Sequence, residues 1–103
     1  MTPLRVGLAL GGTAGSAGFA RMLERAIHAE TIGLHSVWVP EGHFRRGALA
    51  SPLIVLAAIA ARTTRLGLGT TSLLLTVHHP LRVALEAAAV DALSNGRLLL
   101  GLG

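Results

Sequence analysis

The loop side chains able to move a proton near neutral pH include two short stretches, Glu41-Gly42-His43-Phe44 and His78-His79. A carboxylate two residues from an imidazole suits general acid–base work. The imidazole changes charge near neutral pH, and the carboxylate can fix its orientation. Glu41 and His43 are therefore the candidate catalytic residues, placed to orient a substrate or move a proton. The same residues fit a solvated loop whose charges keep it out of the core. Other chemistries lack residues to carry them. The chain has no cysteine, so neither a disulfide framework nor a thiolate metal site can form. Three loop histidines without an H-x-x-x-H spacing make no recognisable zinc site, and no metal is expected.

The elements that must position these residues alternate. Ser36-Val37-Trp38-Val39 has the β-branched and aromatic character of a short buried strand, ended by Pro40, which cannot donate to a sheet ladder. Glu41 and His43 thus follow the carboxyl end of a strand, the place where ligands bind in parallel α/β sheets. Upstream, Leu4 to Leu10 reads as a strand covered on both faces. Phe19, Met22, Leu23, Ala26 and Ile27 recur at three- and four-residue steps, so 19–32 reads as an amphipathic helix stopped by Gly33. Downstream, Ser51 and Pro52 open a helix to about Arg62, Arg65 to Thr71 is a third strand, and Pro80 starts an alanine-rich helix capped by Asn95-Gly96. Arg97 to Leu102 is a fourth strand. The order βαβαβαβ implies right-handed crossovers and a parallel sheet. It leaves open a doubly wound sheet or part of a (β/α)8 barrel.

At 103 residues, 51% of them hydrophobic, the chain can bury one core. Its nine basic residues are all arginine and its net charge is +4, but the arginines are scattered and only three aromatics are available for stacking. Nucleic-acid binding is not expected. The apolar run Val6 to Leu10 is shorter than the roughly 7–15 residues of a signal-peptide core. Pro52 to Ala61 is well short of the roughly 20 residues that span a bilayer. These features point to a cytoplasmic protein that does not enter the membrane.

The glycine-rich turn Gly11 to Gly18 suggests a phosphate cradle, but its spacing is Gly12-x-x-Gly15-x-x-Gly18 and no lysine is available for a Walker loop. A flexible loop over a pocket is the favoured role. An NAD(P)-binding Rossmann-type oxidoreductase using this turn is the alternative.

From Ala29 onward the chain resembles the N-terminal part of the bacterial luciferase-like monooxygenase superfamily, the flavin- or deazaflavin-dependent oxidoreductases. The matching stretches are AETIGLHSVWVPEGHF (29–44), AAIAARTTRLGLGTTSL (57–73) and HPLRVALEAAAVDALSNGRLLLGLG (79–103), and the block Asp91 to Arg97 (D-x-L-S-x-G-R) is the most specific. The resemblance implies α/β architecture, with residues 1–103 as the N-terminal half, about four βα units, of a (β/α)8 barrel. A complete barrel needs roughly 250 residues, so the piece is expected to be inactive alone. It also implies FMN, or alternatively coenzyme F420, at the strand ends, with Gly11, Thr71, Ser72 and His79 binding the cofactor. Relatives hold a cis peptide at the position of Thr71-Ser72. The implied partners are a small organic substrate, a flavin reductase and a second copy of the chain. The second copy would dock on helices 52–62 and 80–95, because Leu53 to Ala61 carries no polar side chain on any face. One departure bears on the chemistry: the luciferases read Glu-His-His-Phe after strand two, and here Gly42 replaces the first histidine. That argues against light-emitting aldehyde oxidation and leaves hydride transfer or another monooxygenation. A reading of another class is a non-catalytic remnant or interaction module.

Overall fold

Strand β2, Ser36–Val39, is the centre of the sheet, because its residues are the most strongly β-forming in the chain and pair on both sides. In the computed structural model, which describes residues 2–11 and 14–103, β1 is Gly7–Ala9, β3 is Gly67–Thr70 and β4 is Leu98–Leu99. All pairings are parallel, and the strand order is β1-β2-β3-β4. A doubly wound sheet needs a reversal of strand order; sequential neighbours are the order of a (β/α)8 barrel. This settles the choice the alternation left open. Three helices connect the strands: α1 Ser16–Thr31, α2 Pro52–Arg62 and α3 Pro80–Leu93, the last preceded by a 3-10 turn at Leu75–Val77.

The register sorts the side chains into two layers. Leu8, Val37, Leu68 and Leu98 stand in one row across the sheet and face the helices. They meet Met22 and Ala26 of α1 and Leu56 and Ile59 of α2, all essentially without exposure. Each fully buried Leu or Ile contributes roughly 1.5–3 kcal/mol relative to leaving it exposed. The alternate row, Ala9, Trp38, Gly69 and Leu99, faces the barrel interior. There the Trp38 indole lies across its neighbours: a Cβ on Gly69 would stand 2.3 Å from its ring, and one on Gly7 2.6 Å from Nε1. The glycines that weaken β3 on propensity make room for this ring.

Several boundaries differ from the sequence pattern for local reasons. The pattern extends β1 back to Leu4, but Leu4 is 90% exposed and the ladder to β2 begins only at Gly7. Helix α1 starts at Ser16, ahead of the first large apolar residue, since Ser16, Ala17 and Gly18 are too small to show periodicity. Ser51 holds the N-cap position of α2, yet its side chain makes no capping bond. The fourth strand is shorter than 97–102, with Leu102 reaching Leu73 only through an isolated bridge. Asn95 and Gly96 end α3 with φ of 60° and 82°, the left-handed cap expected of that pair.

At the amino ends of the strands two charged groups tie the units together. Glu30 of α1 accepts from the backbone N–H groups of Thr64, Arg65 and Leu66. Arg97 donates to the carbonyls of Ala60, Thr63, Leu66 and Ser94 and to Thr63 Oγ1, so it caps the carboxyl end of α2 from the start of β4. Replacing Arg97 with alanine should destabilise the chain by roughly 2–4 kcal/mol, because it strips several partly buried carbonyls of their donor. Urea unfolding checks this against Arg62→Ala, a change at an exposed residue expected to stay within about 0.5 kcal/mol.

Candidate functional site

Past Val39 the chain turns at Pro40 into a loop whose first side chain, Glu41, reaches the segment between β3 and α3 at Leu74 and His78. The loop is drawn in by backbone bonds from Gly42 N–H to Leu49 O and from Ala48 N–H to Arg45 O. It is bent at Phe44 and Gly47, with φ of 61° and 71°. The Glu41 side chain has no solvent exposure. Isolated there, a carboxylate would be costly, but donors surround it. His43 Nε2 lies 2.6 Å from Oε2, His78 Nε2 lies 2.9 Å from both oxygens, and Leu74 N–H donates to Oε1 at 3.1 Å. The two histidines come from different loops, after β2 and after the 3-10 turn, and meet only through this carboxylate.

The contacts decide the protonation pattern. Burial pushes the Glu41 carboxyl up, but the bonds from His43, His78 and Leu74 outweigh it and hold the group below its ordinary value. An ionised carboxylate only accepts, so each neutral imidazole carries its proton on Nε2 and keeps Nδ1 as an acceptor. The imidazoles remain partly open, at 24% and 30% side-chain exposure for His43 and His78. The cluster is a buried carboxylate bonded to two partly exposed imidazoles. Among the described residues no group of three or more His, Cys, Asp or Glu side chains is arranged to hold a metal ion.

The other candidates lie along the same end of the sheet. Thr71 is exposed and Ser72 half-buried just beyond β3, and the peptide between them is cis. Gly11 follows β1, and a Cβ there would meet nothing within 4 Å. His79 is exposed at the N-cap of α3, where its Nδ1 accepts from Leu81 N–H. The glycine-rich turn borders a pocket of about 420 Å³ with Arg21 and Met22, though Gly12 and Thr13 lie outside the described residues. The sequence pattern gives His78 no role of its own beyond the His78-His79 stretch; the structure places it on Glu41. The signal was available: a histidine at the N-cap turns toward its own helix, so the one before it is free to reach the end of β2.

The carboxyl of Glu41 is depressed in the folded state, so the stability it contributes is present above its ordinary value of 4.5 and is lost as pH falls through the folded value. Glu41→Gln should therefore cost roughly 1–3 kcal/mol at pH 7. It should also flatten the loss of stability below the ordinary carboxylate range. Unfolding curves of both proteins across that range measure this.

The comparisons with known proteins agree with this fold. The family model for the luciferase-like monooxygenases matches residues 1–103. Over 84 residues the chain is 40% identical to 4-hydroxyprotoasukamycin monooxygenase of Streptomyces nodosus subsp. asukaensis, covering 81% of this chain and 23% of that one. Over 85 residues it is 34% identical to the oxygenase component of the flavin-dependent trigonelline monooxygenase of Acinetobacter baylyi, covering 82% and 24%. The crystal structure of monooxygenase RslO1 from Streptomyces bottropensis superposes with a TM-score of 0.81 at 34% identity, over 97% of this chain and 33% of that one. The chain thus spans about a quarter of the length of the curated relatives it matches. With four parallel strands and three connecting helices in barrel order and a family match along its whole length, the chain belongs to the luciferase-like monooxygenases.

Proposed function

We propose that this chain supplies the ring-facing wall of a flavin-dependent oxidoreductase acting on a small organic substrate, with FMN as cofactor and coenzyme F420 as the alternative. The observation that carries the reading is the buried Glu41 carboxylate holding two imidazoles at the carboxyl end of β2. A pair of oriented imidazoles beside an open strand end suits proton handling next to a redox cofactor. The ground beside it fits a planar ring. Gly11 opens onto free space, Thr71 and Ser72 are small, and the Thr71-Ser72 peptide lies at the end of β3 as a floor.

In this reading Thr71, Ser72 and Gly11 bear the ring, and His79 borders it from the N-cap of α3. His43 orients substrate or moves its proton at Nδ1, and Glu41 acts through His43, since its own oxygens are fully engaged. The bound flavin supplies the electrons; the protein positions it and excludes water. Gly42 puts no imidazole between Glu41 and His43, which favours hydride transfer or a monooxygenation other than aldehyde oxidation. The trigonelline relative is one component of a larger system, which supports a separate reductase as partner. The lack of cysteine fits a cytoplasmic setting, and no described helix is long and apolar enough to cross a membrane. A dinucleotide site at the glycine turn loses its support, because the strand order has no switch point.

Ile54, Ala58 and Ala61 form a free ridge on α2, and Leu85, Ala88 and Ala89 are exposed on α3. This apolar surface supports a homodimer through the two helices. Light scattering should find a dimer that Ala58→Glu converts to monomer; a mutant that stays dimeric places the interface elsewhere.

Titrating FMN, and separately F420, into 15N-labelled chain at millimolar concentration tests the site, because a weak complex still moves amide resonances. Shifts should centre on Gly11, Gly42, His43, Thr71 and Ser72. Shifts confined to the glycine turn, or none with either cofactor, would sink the proposal.

A further inference from the structure

We propose that His78 is a positioning residue that, through Glu41, keeps His43 a proton acceptor toward the ligand. The inference rests on the placement of His43 beside the substrate made above, and it adds a residue whose role neither the sequence pattern nor the comparisons supply.

The geometry separates the partners of Glu41. Leu74 N–H touches Oε1 alone and His43 touches Oε2 alone, whereas His78 Nε2 stands 2.9 Å from both oxygens. A donor that spans both oxygens fixes the rotation of the carboxylate about its terminal bond and directs Oε2 at His43. It also sets the charge. Inside a fully buried site each added donor favours the ionised form. With Glu41 ionised, a neutral His43 places its proton on Nε2 and offers the Nδ1 lone pair away from Glu41. Were Glu41 to hold a proton, it could donate to His43 Nε2, and the imidazole proton would move to Nδ1. His43 would then face the ligand as a donor. The presence of the second imidazole therefore selects between two opposite functions of the first.

The surroundings leave His78 free for this. Its ring lines a pocket of about 230 Å³ between the amino ends of α2 and α3, together with Ser51, Leu73, Arg82 and Glu86. The charged groups there, Arg82 and Glu86, pair with each other at 3.2 Å. His79, its neighbour in sequence, is turned to its own helix. Nothing on α2 or α3 among the described residues bonds to His78 in place of Glu41.

The test is the tautomer of His43, read from its ring 15N resonances at pH 7.5 in the chain and in two variants. His78→Phe keeps a ring and removes the donor; His78→Gln restores a donor. The chain should show His43 protonated on Nε2. In His78→Phe the resonances should move toward the Nδ1-protonated pattern, and the Glu41 carboxyl, followed by its side-chain 13C shift, should titrate at higher pH. His78→Gln should return both toward the starting values. A purely structural role would change neither the tautomer nor the carboxyl titration in a folded variant. If His78→Phe does not fold, His78→Gln and the unmodified chain decide: Nδ1 protonation of His43 in either overturns the proposal, as does an unchanged tautomer in a folded His78→Phe. Adding FMN keeps the two claims apart. A His43 resonance indifferent to cofactor overturns the cofactor placement and leaves the tautomer result standing.

Discussion

A carboxylate with no solvent contact is the constraint on which this end of the molecule depends. Removing Glu41 from water is tolerable only because its oxygens are bonded, and the donors come from three places: the loop after β2, the backbone at Leu74, and His78 before α3. None of these segments is held there by a large core of its own. The apolar layer lies mainly between sheet and helices and takes in only Leu49 and Leu73 from these segments. The path from β3 to α3 is also guided by polar bonds: Leu73 N–H donates to Gly101 O, Gly103 N–H donates to Leu73 O, and Thr70 Oγ1 donates to Gly101 O and accepts from Gly101 N–H. Glu41 adds the tie between that path and β2.

The two ends of the sheet divide the work. At the amino ends, Glu30 and Arg97 use charge to satisfy backbone groups, and nearly all their bonding capacity is spent on structure. At the carboxyl ends the charge of Glu41 is spent on two imidazoles that stay partly exposed. This is the usual division in barrels of this type, stability below and chemistry above. It explains a feature of the sequence. The block Asp91 to Arg97 is the most specific family mark in the chain, yet it lies at the structural end. Asp91 accepts from Leu98 N–H, Ser94 accepts from Arg97 N–H, and Arg97 closes α2. What identifies the chain is a clamp, and the chemistry proposed above falls to the less distinctive Glu-Gly-His.

Much of the fold was legible because local rules and packing agree. Ser36 to Val39, Pro52 and the Asn95-Gly96 cap each behave as their residue types require. Where legibility stopped, the cause was a contact distant in sequence. Gly69 weakens a strand until Trp38, from the neighbouring strand, is seen to need its space. Ser51 has the right chemistry for a cap and makes no capping bond. Glu41 and His43 were readable as a pair because they are two residues apart. His78 was not, being joined to Glu41 across 37 positions by a bond that no periodicity encodes. The resemblance supplied the Thr71-Ser72 peptide, which no local pattern would have singled out.

The central claim is that the Glu41 carboxylate physically joins the two loops, and amide hydrogen exchange at Leu74 tests it most directly. Leu74 N–H lies in a loop segment and donates to Glu41 Oε1. It should exchange slowly in the native chain and lose that protection in Glu41→Ala, while Leu66, whose N–H is held by Glu30 at the other end, keeps its own. A Leu74 amide that already exchanges like an open loop in the unmodified protein, or one that stays protected without Glu41, would contradict the account.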